Sequence, residues 1–97
     1  MPVAPLIRVQ AQGFDLQSEI DALVGSRKDI GAVVTFTGLC RDEQGALSAL
    51  ELEHYPGMAE GEMRRIAKLA IERFPLLGLA AIHRFGKIEP GESIVLV

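Results

Sequence analysis

The sequence predicts an α+β fold with a mostly antiparallel sheet and two amphipathic helices. Two segments repeat apolar residues at helical spacing, and β-branched or alternating segments lie before, between and after them. The resulting order is strand, helix, strand, strand, helix, strand, strand, which lacks the regular β-α alternation of a parallel sheet. A length of 97 residues suits a single domain covering residues 1–97.

The first half of the chain predicts a strand, a helix and two further strands. Residues 6–10 form a short strand, and a helix follows from Asp15, which caps it, to Gly25, which ends it. Residues 32–37 read Ala-Val-Val-Thr-Phe-Thr, the clearest strand in the chain because of their β-branched and aromatic content. Residues 38–45 are polar and bounded by glycine, so we expect a loop. Residues 50–55 alternate as a strand with one wet face does.

The second half predicts a helix and two strands. The helix lies between a Pro-Gly turn at 56–57 and Pro75, and opposite charges four residues apart, 60 with 64 and 68 with 72, mark its outer side. Strands follow at residues 79–85 and 93–97, with a Pro-Gly turn at 90–91 between them. The predicted inner face of the helix consists of Met63, Ile66, Ala67, Ala70, Ile71 and Phe74.

Composition excludes several classes of function. Ten basic residues against thirteen acidic ones give a net charge of −3, which argues against a nucleic-acid-binding protein. The single cysteine, Cys40, permits no intrachain disulfide and no cysteine metal cluster. The sequence also has no P-loop, dinucleotide-binding glycine fingerprint or zinc-site spacing, so we expect neither a metal nor a cofactor. The N-terminus does not resemble a signal peptide and the longest uncharged apolar stretch, residues 74–82, is too short to span a bilayer, so we expect a cytoplasmic protein.

One loop is the leading candidate for a binding site. It follows the predicted strand at 32–37, and in it Gly38 permits close approach of a ligand while Arg41 offers a fork of donors to a phosphate. The alternative is a solvated arginine paired with Asp42 or Glu43. Cys40 beside Arg41 could be a reactive thiol, but a small buried residue is the simpler interpretation.

The two histidines carry weaker signals. His54 has the same strand parity as Leu50 and Leu52, so a packed histidine with one hydrogen bond is the simpler interpretation. His83 and Arg84 point to opposite faces of a strand and therefore form no local site together.

Three segments in order resemble the hallmarks of the molybdopterin synthase large subunit, the MoaE family. They are residues 29–38 followed by Arg41, then residues 50–58, Leu-Glu-Leu-Glu-His-Tyr-Pro-Gly-Met, and then Ile-His-Arg at 82–84 with Gly86 and the Pro-Gly at 90–91. Together they cover nearly the whole chain. The resemblance implies an α/β-hammerhead-like fold with additional antiparallel strands.

The resemblance also implies a reaction and partners. The family makes molybdopterin from cyclic pyranopterin monophosphate, taking each sulfur from the thiocarboxylated C-terminus of a small ubiquitin-like partner. Large subunits pair as a homodimer with a small subunit at each outer end, giving a heterotetramer. Carried over residue by residue, the resemblance places Leu39, Cys40 and Arg41 in the substrate-contacting loop and Phe36 in the pocket before it, with no nucleophilic role for Cys40.

The sequence departs from the family pattern at its C-terminus. The resemblance implies catalytic lysines beyond Val97, so the catalytic residues are unknown here, and Lys68 and Lys87 do not take their place. We expect a natural chain that continues past Val97 and a 97-residue chain that is inactive alone. The alternatives are a binding module that docks a ubiquitin-like tail or a dimer mate without catalysis, and a generic α+β domain that binds a phosphorylated metabolite.

Overall fold

The computed structural model describes residues 3–41, 50–52 and 57–97. Within them the chain forms two helices and six strands in mixed order. The elements are β1 (Leu6–Gln10), α1 (Leu16–Val24), β2 (Thr37–Leu39), β3 (Leu50–Leu52), α2 (Met58–Arg73), β4 (Ala80–Arg84), β5 (Gly86–Ile88) and β6 (Ser93–Leu96).

The strands form two sheets. The larger has the order β1-β4-β6-β2, and the smaller pairs β3 with β5. β1 runs parallel to β4, whereas the β4–β6, β6–β2 and β3–β5 pairs are antiparallel. The predicted class, α+β with a mostly antiparallel sheet and two helices, is confirmed.

Helix α1 begins and ends where the sequence predicts. The Asp15 carboxylate accepts hydrogen bonds from the Ser18 amide at 2.9 Å and the Ser18 hydroxyl at 2.8 Å, and these bonds lower the pKa of Asp15. Gly25 ends the helix with φ of 60°, a conformation that residues with a Cβ rarely adopt. A parallel β1–β4 pair needs a long connection, and α1 lies on it.

The Glu60 side chain caps helix α2. An ion pair on this helix joins Glu62 and Arg65 rather than the predicted partners. The Glu60 carboxylate accepts a hydrogen bond from the Gly57 amide at 2.7 Å, which satisfies one free donor at the start of the helix. On the outer face, Arg65 donates to Glu62 and lowers the pKa of that carboxyl. The helix ends at Arg73, since the extended Phe74 precedes Pro75.

The predicted inner face of α2 is too wide. Ala67 is buried and Met63, Ala70 and Ile71 are half-buried, but Ile66 and Phe74 are 53% and 52% exposed. Ile66 lies about 100° around the helix from Ala67. Met63, Ala67, Ala70 and Ile71 therefore form a narrower inward face than the sequence predicts.

The core lies around β4, the strand between β1 and β6. Ile82 and Ile88 are completely buried, and Ala81, Leu96, Ala67 and Cys40 complete the set of buried apolar residues in the described part of the chain. Full burial of each isoleucine contributes roughly 1.5–3 kcal/mol relative to exposure. Site residue Cys40 therefore belongs to this core.

The strand predicted at residues 32–37 is misplaced: β2 runs from Thr37 to Leu39 instead. Antiparallel pairing places Leu96 opposite Thr37, and Phe36 exchanges backbone hydrogen bonds with Val97. No described strand lies opposite residues 32–35, and Val34 is 90% exposed. β propensity reflects packing against neighbouring strands more than intrinsic preference, so the β-branched run alone makes no strand.

Two further boundaries differ from the sequence prediction. Gly38 and Leu39, predicted as loop, lie in β2, and β5 was absent from the predicted order. Gly86, the first residue of β5, has φ of 83°, and β5 pairs with β3 rather than continuing the larger sheet. The predicted strand at 50–55 is described only as β3, and His54 lies outside the described residues.

Candidate functional site

The predicted site residues lie together at and around β2. Phe36 precedes this strand, Leu39 is its last residue, and Cys40 and Arg41 follow it. β2 is an edge strand of the larger sheet. Loops held at the end of a rigid strand are a common location for ligand-binding residues.

Phe36 and Leu39 are fixed by their backbone and have exposed side chains. The Phe36 amide donates to the Val97 carbonyl at 2.8 Å, and the Val97 amide donates back at 2.9 Å. The side chains are nonetheless exposed, Phe36 by 65% and Leu39 by 57%. Exposed apolar side chains of this size can contact a flat, partly apolar ligand or a polypeptide.

Cys40 is the anchor of the loop. It is only 2% exposed, and its thiol points to the Ile88 carbonyl at 3.6 Å. Its amide donates to the Glu92 carbonyl at 2.8 Å, and its carbonyl accepts from the Gly91 amide at 2.7 Å. The interpretation of Cys40 as a small buried residue is therefore supported, and its sulfur faces the protein interior.

Arg41 is exposed and directly follows this anchored peptide. An arginine keeps its positive charge at all physiological pH values and presents a planar fork of donors. The anchor restricts where the start of this side chain lies. The structure thus brings Arg41, Leu39 and Phe36 to one edge of the sheet.

Residues 27–29, which precede β2 in the chain, are held by side-chain hydrogen bonds. Arg27 donates to both oxygens of Asp29, at 3.0 and 2.7 Å, and to the Leu77 carbonyl at 3.0 Å. The hydrogen bonds from Arg27 lower the pKa of the Asp29 carboxyl. Both side chains are substantially exposed, so the pair contributes more to the path of the chain than to its stability.

Sequence reasoning missed two residues beside the loop, Arg84 and Glu92. Arg84 is 6% exposed and its Nη1 lies 3.5 Å from a carboxylate oxygen of Glu92. The opposite orientations of His83 and Arg84 agree with the prediction, because His83 is half-buried while Arg84 points into the protein. Only its strand parity with the buried Ile82 could have indicated a buried arginine.

An apolar cavity of about 180 Å³ lies between α1 and the larger sheet. None of the four predicted site residues lines it. Glu19 lines it, and the carboxylate of Glu19 pairs with Arg8. The lining residues include Ile20, Leu23, Val33, Leu79 and Leu96.

The described residues, 3–41, 50–52 and 57–97, contain no cluster of three or more His, Cys, Asp or Glu that could hold a metal ion. Neither helix in those ranges has the length and apolar character needed to cross a bilayer.

The fold and the loop together define a class: a small α+β protein that presents an arginine-bearing loop, anchored in the core, at the edge of a mixed sheet. Comparison with known proteins makes the class specific. Residues 9–97 match the family model described as MoaE protein, and the chain belongs to the MoaE family.

Individual relatives agree with this assignment. A Mesorhizobium japonicum protein named molybdopterin synthase catalytic subunit is 68% identical over 95 residues, covering 98% of this chain and 60% of its own length. A Brucella melitensis protein of the same name is 62% identical over 97 residues, again with 60% of its length covered. The chain thus spans about 60% of the length of these relatives.

Solved structures show the same fold. A molybdopterin biosynthesis MoaE protein from Burkholderia ambifaria superposes with a TM-score of 0.85 at 41% identity, covering 95% of this chain and 60% of that one. A molybdopterin cofactor biosynthesis protein E from Burkholderia multivorans gives 0.83 at 46% identity with the same coverage. The hammerhead-like fold that the resemblance implied is therefore that of the family.

Proposed function

We propose that this chain acts in molybdenum cofactor biosynthesis as the large, catalytic subunit of a molybdopterin synthase. Membership of the MoaE family carries this proposal. The reaction is a sulfur transfer: the thiocarboxylated C-terminus of a small ubiquitin-like subunit supplies sulfur to cyclic pyranopterin monophosphate, and molybdopterin is the product. Residues 1–97 form one domain of this subunit, the protein works in the cytoplasm, and large subunits pair as a homodimer.

The anionic substrate binds at the loop after β2. Arg41 supplies the fixed positive charge for the phosphate, and its exposed position supports this role. Leu39 and Phe36, both exposed, contact the pterin or the extended tail of the small subunit. Cys40 contributes by holding the loop through its backbone hydrogen bonds. Its thiol faces the Ile88 carbonyl and takes no part.

The chemistry assigns the reactive sulfur to the partner. A carbonyl-bound sulfur on the small subunit needs a site that excludes water and orients it beside the pterin. The described residues supply the phosphate-holding loop and a rigid sheet behind it. The amines that act on the thiocarboxylate are not assigned to Lys68 or Lys87, which lie on α2 and β5.

Binding of cyclic pyranopterin monophosphate, measured by isothermal titration calorimetry, tests the loop assignment. Arg41→Ala should weaken binding by roughly 10- to 100-fold, the loss of a charge-assisted hydrogen-bonded pair. Arg64→Ala is the matched control, because it removes an exposed arginine from α2, and should bind as the unaltered protein does. Equal affinities for the Arg41→Ala and Arg64→Ala variants would contradict the assignment.

A further inference from the structure

The turn between β5 and β6 is closed by a side chain. The Glu92 amide donates to the Glu89 carbonyl at 3.0 Å, and the Glu89 amide donates to the Glu92 carboxylate at 2.8 Å. Gly91, within the turn, has φ of 89°. We name residues 89–92 the clamp turn, since Glu92 joins its two ends.

The clamp turn holds the candidate loop by two backbone hydrogen bonds. Gly91 donates to the Cys40 carbonyl and Glu92 accepts from the Cys40 amide, at 2.7 and 2.8 Å. Both polar groups of one residue are thus held by the same turn. Since Arg41 is the next residue, a shift of the clamp turn moves the start of its side chain by a similar amount.

Arg84 ties the clamp turn to the larger sheet. Its Nε and Nη2 donate to the Ala11 carbonyl at 3.1 and 2.9 Å. Its Nη1 reaches the Ser93 carbonyl at 3.4 Å and the Glu92 carboxylate at 3.5 Å. A buried guanidinium is tolerated only when it is paired, so these partners fix one another in place.

We infer that Arg84 and Glu92 are positioning residues for the anion-binding loop. In this role neither residue contacts the ligand. Arg84 is buried, and Glu92 closes the turn whose backbone holds Cys40. This inference rests on the proposed function for its ligand, cyclic pyranopterin monophosphate, but its structural part stands on the geometry alone. The charge on Glu92 serves the clamp turn and Arg84 simultaneously.

Amide hydrogen exchange tests the structural part without any ligand. Glu92→Ala removes both carboxylate contacts and should speed exchange at the Cys40 and Gly91 amides by about tenfold or more, because local opening of a hydrogen bond becomes easier. Amides in the middle of α2 should exchange unchanged. Glu89→Ala is the matched control, since Glu89 joins the clamp turn through its backbone and loses the same charge on substitution.

Binding of cyclic pyranopterin monophosphate to the same variants tests the functional part. Glu92→Ala should weaken binding by about tenfold, equivalent to one lost hydrogen bond. Glu92→Gln keeps an acceptor for the Glu89 amide and should recover much of the affinity. Arg84→Lys keeps the charge but loses the paired donation of Nε and Nη2 to the Ala11 carbonyl, so it should weaken binding and gives a second test if Glu92→Ala does not fold. Glu89→Ala should bind normally.

The outcomes separate this inference from the proposed function. If the unaltered protein does not bind the pterin, the proposed function fails and the exchange result alone decides whether Glu92 positions the loop. If the protein binds and Arg41→Ala does not, yet Glu92→Ala changes neither exchange nor affinity, the positioning role is overturned. Equal loosening of α2 and the Cys40 amide would also overturn it, because it would show general destabilisation.

Discussion

Gly38→Ala should destabilise the protein by crowding β2 against β6. A Cβ built on Gly38 lies 2.7 Å from Cγ1 of Val95, whereas nonbonded carbons prefer about 3.5–4.0 Å. Relief requires a shift of roughly 1 Å, and the branched Val95 side chain has little rotamer freedom. Overpacking of this size costs about 1–3 kcal/mol. For a chain of this size, each kcal/mol lowers the melting temperature by about 4–8 °C.

A double-mutant cycle isolates the contact. Urea unfolding of Gly38→Ala, Val95→Ala and the double variant should give a double variant at least about 1 kcal/mol more stable than the sum of the single losses predicts. Val95→Ala removes the Cγ1 atom that the new methyl group meets. Gly31→Ala is the matched control because nothing lies within 4 Å of its position. Simple additivity of the two losses would show that a methyl group at position 38 does not collide with Val95.

Three further predictions concern stability. Ile82→Ala, in the completely buried centre of β4, should cost about 2–5 kcal/mol in urea unfolding, and a loss below about 1 kcal/mol would contradict its place in the core. Gly61→Ala should raise stability by up to about 1 kcal/mol, because Gly61 lies in α2 with open space around it; a lower melting temperature would count against this. The lowered pKa of Asp15 means that its stabilising effect is complete above the ordinary carboxyl pKa and is lost as the pH falls below it. The melting temperature of the protein relative to Asp15→Asn should therefore fall as the pH is lowered from about 5 through the lowered pKa of Asp15, whereas a constant difference would remove Asp15 from the pH dependence.

Local signals in the sequence were sufficient for several elements. Helix α1 carries its own start and stop in Asp15 and Gly25, and strands β1, β4 and β6 fall within their predicted segments. The placement of β2 was not accessible, because it depends on which residues of β6 lie opposite it. β5 has only three residues, too few for periodicity to reveal.

The candidate site shows the same division. The sequence directed attention to Arg41 and its neighbours, and the interpretation of Cys40 as a buried residue is supported by its 2% exposure. The hydrogen bonds that hold Cys40 come from residues about 50 positions later in the chain. No spacing pattern in the sequence predicts bonds between residues so far apart. The burial of Arg84 likewise depends on acceptors from Ala11 and Ser93, which only the tertiary fold brings together.

The most direct test of the proposed synthase activity is turnover by the protein produced from its own gene. It would be incubated with the thiocarboxylated small subunit and cyclic pyranopterin monophosphate, and molybdopterin would be measured, with the Mesorhizobium japonicum relative as the positive control. The proposed function predicts product with two sulfurs per pterin and, for Arg41→Ala, a kcat/KM lower by roughly 10- to 100-fold. Absence of product while the relative turns over the same reagents would contradict it.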